Sequence, residues 1–276
     1  MPLPNTGSIF MEREGDFIAF SDVYWRGIYD GFKVKPGFVV IDVGAHIGIY
    51  TIKAARSVGS NGRVIAVEPH PENFRLMLQN IALNKLDNVT PVQVALSNHE
   101  GYVKLYLSNS SDKHSIVYQA SAQCMKVPSL TLDGLLRHLD IDYVDLIKID
   151  VEGAEMDVLE GARQTLKKSE KIVVATYHYA SEPREVAEYL TRSGFEIKEV
   201  PRNYTLLDSI YGASDLTHLL KLLKRNANFF IEYIILRTFF LMRRGGILYI
   251  SPFVRRLRSE HARMIPELIY AFKKIR

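Results

Sequence analysis

The chain has 276 residues, 47% of them apolar, enough for one substantial α/β domain and an appendage. Its single cysteine, Cys124, excludes an internal disulfide and a cysteine-based zinc cluster. The net charge of +4 is unevenly split: residues 215–276 hold 13 Lys and Arg against 4 Asp and Glu, residues 1–214 hold 22 against 27, and a nucleic-acid-binding role for the larger part is disfavoured. The opening MPLPNTGSIFMEREGD has no basic start leading into an apolar run, so no secretory signal is expected. No uncharged apolar run of about 18 residues predicts a membrane span, and a cytoplasmic location is expected.

In chain order, IFMEREGDFIAF (9–20) predicts a hairpin turning at Glu14-Gly15-Asp16, and DVYWRGIYDG (22–31) a helix. From Phe38 onward, short apolar runs alternate with amphipathic stretches. Strands are predicted over 38–42, 63–68, 89–95, 143–150 and 171–177, and helices over 49–58, 71–84, 154–168 and 183–194. Pro71 and Pro183 stand near helix starts, where the missing N–H costs little. Residues 101–127 predict two strands around a polar loop, and 129–139 a short helix. This alternation implies parallel βαβ units, hence a doubly wound, mostly parallel sheet covered on both faces. Three regions follow: an N-terminal hairpin and helix (1–37), the α/β domain (38–213) and a basic, apolar, helical extension (214–276).

The most informative stretch is VVIDVGAHIGIYT (39–51), a buried strand ending in Asp42, a turn with Gly44 and Gly48, then a helix. The turn lies at the carboxyl end of the first strand, where open α/β sheets bind ligands. A dinucleotide or phosphate loop needs GxGxxG or GxxxxGK followed by Ser or Thr, and this turn has neither. Asp42 suits a cationic, amino-acid-bearing ligand better than a pyrophosphate. The second strand ends in Glu68, a carboxylate placed to accept hydrogen bonds from both hydroxyls of a ribose, or else a solvated strand end.

DVGAHIG, VEPHPEN, VALSNHEG, SLTLDGLL and LIKIDVEGAEMDVLEGA, in this order over residues 36–200, resemble the FkbM-type S-adenosylmethionine-dependent methyltransferases. The resemblance implies a class I methyltransferase fold, Rossmann-like, with S-adenosylmethionine as cofactor. Asp42, Gly44, Ala45 and Gly48 would surround its methionine end, Glu68 its ribose, and Ala95, Leu96 and Ser97 its adenine. His46 stands where many methyltransferases carry glycine, and Thr176-Tyr177-His178 lacks the acid that many relatives place two residues before the histidine.

The ends of the first, fourth and fifth strands should converge on one rim carrying Asp42, Asp150 with Glu152, and His178. Methyl transfer to a hydroxyl needs alignment, exclusion of water and a proton acceptor. His178 is the candidate base and Asp150 the second catalytic candidate, with helix capping as the alternative for Asp150. Lys148, two residues before Asp150, suggests pairing with a carboxylate. Asp150, Glu152 and His178 also suit a divalent metal, although nothing in their spacing requires one.

In 216–244, apolar residues cover most of a helix, broken by Lys221, Lys224, Arg225, Glu232 and Arg237. Such a segment suits a membrane interface, self-association or a cap on its own domain. The expected activity is O-methylation of a hydroxyl on a sugar or glycan-linked substrate. The rivals are an RNA (tRNA) methyltransferase and a catalytically silent membrane-associated module. Against RNA, the catalytic half shows neither a basic aromatic stripe nor an Asn/Asp-Pro-Pro-Tyr motif.

Overall fold

A computed structural model describes residues 2–3, 7–108, 113–117, 122–176, 178, 182–201 and 266–273. Two short strands, β1 (Pro2–Leu3) and β2 (Gly7–Ser8), pair antiparallel. The central sheet contains β3 (Val39–Val43), β4 (Arg63–Val67), β5 (Val89–Val92), β9 (Val144–Ile149), β10 (Ser169–Ala175), β11 (Glu196–Pro201) and β12 (Pro266–Phe272). A third sheet holds β6 (Ala95–Leu96), β7 (Gly101–Tyr106) and β8 (Cys124–Leu130). The helices are α1 (Glu14–Phe20), α2 (Ile49–Val58), α3 (Pro71–Leu83), α4 (Leu132–His138), α5 (Glu155–Glu160) and α6 (Glu182–Arg192).

The central sheet runs β11-β12-β10-β9-β3-β4-β5. Its strands from β10 to β5 are parallel, and β12 enters antiparallel between β10 and β11. Side-chain alternation divides the core between two faces. Val40, Val64, Leu146 and Val173 pack with Ile52 and Ala55 of α2 on one face. Ile41, Ile65, Ile147 and Ile172 pack with Leu135, Val158 and Leu190 of α4, α5 and α6 on the other.

The parallel strands and α2 follow the sequence reading closely, and four other segments differ. The expected hairpin over 9–20 is instead α1, because Asp16 turns back as a cap: its Oδ2 accepts from the backbone N–H of Glu12 at 2.8 Å and of Arg13 at 2.9 Å. The expected helix over 22–31 is a π-helical turn, Ser21–Arg26, that ends where Gly27 enters the left-handed region at φ 58°. The strand expected over 89–95 divides into β5 and β6, which belong to different sheets. The helix over 154–168 stops at Gly161 and resumes as a 3₁₀ turn, Thr165–Lys168.

The helical extension is corrected at its end. Pro266–Phe272 is a strand of the central sheet, with Ile269 and Ala271 fully buried two residues apart, the period of a strand rather than a helix. Neither β12 nor β11 is foreseen in the sequence reading. The remainder of the expected extension, 214–265 with its basic and apolar positions, lies outside the described residues.

Candidate active site

Asp42 and Lys148 are register partners on β3 and β9, so their side chains emerge side by side on one face. Both are buried, Lys148 Nζ lies 3.0 Å from Asp42 Oδ1, and Thr51 on α2 donates to Asp42 Oδ2 at 2.6 Å. Burial alone would lower the Lys148 amine, but Asp42, Asp150 and Glu68 together hold it above its ordinary value. The ammonium also donates to the Gly44 carbonyl at 2.8 Å, tying the pair to the turn that follows β3. Asp42 therefore stands behind the turn and does not line the cavity, whereas Lys148 does.

The turn leaves little freedom. Gly44 adopts φ 75°, and a Cβ there would lie 1.9 Å from the Asp150 carbonyl oxygen. The N–H groups of Gly44 and Ala45 both donate to the Val67 carbonyl, at 3.0 and 2.9 Å, pinning the turn to the end of β4. His46 holds a positive φ of 54°, which explains why glycine is common there. Its Nε2 lies 3.2 Å from Asp16 Oδ1. Gly48, φ 85°, starts α2 against Met77 and does not line the cavity. Gly44→Ala is expected to cost roughly 2–4 kcal/mol through left-handed strain and overlap. A urea midpoint and a cofactor titration both at wild-type values would show that the turn adapts freely.

Glu68 ends β4 at the cavity wall and is 5% exposed. Its Oε2 accepts from the His46 N–H at 2.9 Å and its Oε1 from the His70 N–H at 2.9 Å, with Asn73 Nδ2 at 3.4 Å. Burial raises its pKa against the pull of His46 and these N–H groups. The backbone thus fixes the carboxylate while leaving it facing the cavity. Beyond it, Val94, Ala95, Leu96 and Leu105 form an apolar slot, and His114, stacked on His70 at 4.1 Å, lines the wall beside it. Ser97 does not line the cavity; its hydroxyl lies by Asn98 and His99. A buried carboxylate facing the cavity, an apolar slot beside it and a tight glycine turn are chemically compatible with the ribose, adenine and methionine ends of S-adenosylmethionine.

At the carboxyl end of β9 stands Asp150, followed by Glu152 in the left-handed region at φ 57°. Tyr29 donates to Asp150 Oδ2 at 2.5 Å, and Ser115 holds the Glu152 carbonyl at 2.6 Å. Tyr29 and His114 are not candidates in the sequence reading. No sequence signal ties Tyr29, 121 residues from Asp150, to this rim, and only the packing of the N-terminal segment places it there.

His178 follows β10 and meets four carboxylates. Its Nε2 lies 3.7 Å from Asp150 Oδ1 and 3.4 Å from Glu152 Oε2, and its Nδ1 lies 3.3 Å from Glu155 Oε1 and 3.4 Å from Glu182 Oε2. Burial would lower the imidazole, but Glu152, Glu155 and Glu182 raise it far above its ordinary range. Burial in turn pushes Glu155 up to about 8, while His178 holds Glu182 below its ordinary value. The surrounding carboxylates thus favour the protonated ring over the neutral one that a base requires. Glu155 and Glu182 were not singled out; their positions in helical segments carry no sign that both turn inward.

An open α/β sheet with one antiparallel strand beside its last parallel one, and a glycine turn and a buried carboxylate at its carboxyl rim, has the class I methyltransferase fold. Residues 42–197, more than half of the chain, match the model of the methyltransferase FkbM domain. The chain belongs to the FkbM family of methyltransferases, and it is an S-adenosylmethionine-dependent methyltransferase. It is 25% identical to methyltransferase sdnD of Sordaria araneosa over 67% of this chain and 83% of that one. It is 26% identical to hexuronic acid methyltransferase AglP of Haloferax volcanii over 56% of this chain and 62% of that one. The 2-O-methyltransferase NoeI of Sinorhizobium fredii is also 26% identical, over 49% of this chain and 61% of that one. The chain thus spans less than two thirds of AglP and of NoeI. Among the described residues, no helix is long and apolar enough to cross a membrane.

Proposed function

We propose that the protein transfers a methyl group to a hydroxyl of a sugar or glycan-linked acceptor. The observation that carries this reading is the acidic rim of Asp150 and Glu152, which faces the cavity that Glu68 lines. Carboxylates accept hydrogen bonds from hydroxyls and repel phosphates. Apart from its histidines, the cavity lining has Glu68, Asp150 and Glu152 as carboxylates, with Asp22 paired to Arg26 and Lys148 paired to Asp42. That balance disfavours the RNA reading. The names of AglP and NoeI, a hexuronic acid methyltransferase and a 2-O-methyltransferase, support a sugar acceptor by likeness.

S-adenosylmethionine, when bound, supplies an electrophilic methyl group on a positively charged sulfur. Glu68 would hold the ribose, Ala95 and Leu96 the adenine, and Gly44 and Ala45 the methionine end. Asp42 would act there through Lys148 and the Gly44 carbonyl. Asp150 and Glu152 would orient the hydroxyl and accept its proton as the oxygen–carbon bond forms and the carbon–sulfur bond breaks. His178 would hold these two carboxylates in place. Peripheral membrane contact or self-association through 214–276 stays a proposal of sequence alone.

The test is S-adenosylhomocysteine release by the purified full-length chain with uronic-acid and neutral oligosaccharides and with tRNA, the product located by NMR. A new O-methyl resonance on a sugar is expected. Turnover with tRNA and none with any glycan would overturn the reading. Glu68→Ala should weaken cofactor binding by about 1.5–3 kcal/mol, the worth of charge-assisted hydrogen bonds. Calorimetry returning wild-type affinity from a folded variant would remove Glu68 from the cofactor site.

A further inference from the structure

We infer that Asp150, Glu152 and His178 form a divalent-cation site that opens onto the acceptor side of the cavity. One ligand atom from each of the three lies within 4.8 Å of the others. The separations from His178 Nε2, 3.4 Å to Glu152 and 3.7 Å to Asp150, leave room for an ion between the three groups. They suit atoms that share a cation. Ligands about 2.1 Å from a metal stand about 3.0 Å apart in an octahedron and about 3.4 Å apart in a tetrahedron. Asp150 and Glu152 line the cavity, so a cation between them would have an open side toward the acceptor.

A second observation comes from behind the histidine. Glu155 and Glu182 are fully buried, and each turns one oxygen toward His178 Nδ1. The other oxygen of each, Glu155 Oε2 and Glu182 Oε1, is buried, and the two carboxyl groups also act on each other. A metal-ligating histidine commonly directs its second nitrogen at a carboxylate, which fixes the ring and strengthens the ligand. Here two carboxylates stand in that position. Asp150 and Glu152 at the cavity present carboxylate oxygens on the Nε2 side of one imidazole, a donor set to which a cation would bring favourable charge. A metal would take the place of the Nε2 proton, and the Nδ1 proton would stay with Glu155 and Glu182. One imidazole with carboxylate oxygens suits a hard or borderline ion such as Mn²⁺. Such an ion would polarise the acceptor hydroxyl, a function beyond the orientation already ascribed to the rim.

The test is titration of EDTA-treated full-length protein with Mn²⁺, following the electron paramagnetic resonance signal of the free ion. One saturable site per chain is expected. Glu152→Gln, which removes a ligand at a partly exposed position, should weaken it by about tenfold or more. Glu182→Gln, which acts through His178, should weaken it by about 10–100-fold. Asp142→Asn, at an exposed surface pair with Lys168, should leave it unchanged. Circular dichroism melts confirm folding, and if Glu182→Gln does not fold, Glu152→Gln carries the test. Absence of saturable Mn²⁺ binding, or a site that survives Glu152→Gln, overturns the inference. Because the readout is metal binding, its failure would leave the glycan reading standing.

Discussion

A chain ended after Ala213 is expected to lose cooperative unfolding altogether. The reason is β12, which such a chain lacks. Five residues of β12 pair with Lys171–Ala175 of β10, and its other edge carries the ladder to β11. Ile269 and Ala271 are fully buried, so their removal exposes the apolar face over Val174 and Phe195 and leaves β10 with an open edge. Backbone hydrogen bonds contribute roughly 0.5–1.5 kcal/mol each, and losing both ladders would consume a large part of the 5–15 kcal/mol that holds a typical domain together. Thermal melts of the two lengths, monitored by circular dichroism, settle the matter. A truncated protein melting cooperatively near the full-length temperature would show that β12 is dispensable. Membrane association of 214–264 is therefore better tested by substituting Lys221, Lys224 and Arg225 than by truncation.

Lys148→Met should destabilise the domain by about 3–5 kcal/mol, because it strands the Asp42 carboxylate in the core. Asp42 is fully buried and, among the described residues, keeps only Thr51 as a hydrogen-bond partner once the ammonium is gone. Restoring neutrality with Asp42→Asn in the Lys148→Met background should recover part of the loss, since the amide oxygen can still accept from Thr51. Urea unfolding at neutral pH measures both. A single variant within about 1 kcal/mol of wild type would mean that the pair is solvated and contributes little. Asp42→Ala is expected to lower stability as well as cofactor affinity, so the two must be measured together.

Much of this was legible in the sequence. The alternation of apolar strands and amphipathic helices is a local pattern, and it placed β3, α2, β4, α3, β9, β10 and α6 to within a few residues. Gly44 and Glu68 were legible because a turn at a strand's carboxyl end and a carboxylate at the next strand's end are defined by neighbours in the chain. Lys148 was foreseen as an ion-pair residue for the same reason, its alternation with Asp150.

What the tertiary structure alone decided depends on contacts far apart in sequence. Residues 9–20 have Gly15 where a hairpin would turn, and only the Asp16 cap and the burial of Phe20 select a helix. Tyr29 reaches Asp150 across 121 residues, and β12 reaches β10 across 93 to 101. Asp150 and Glu152 are expected beside His178 from the strand order, but Glu155 and Glu182, at the starts of two helices, each look like an ordinary helix-start acid when read singly. Periodicity reports which face of an element is buried, but not against what. The proton affinity of a histidine is set by what surrounds it, so the direction in which His178 is shifted could be read only once the strands had brought its neighbours together.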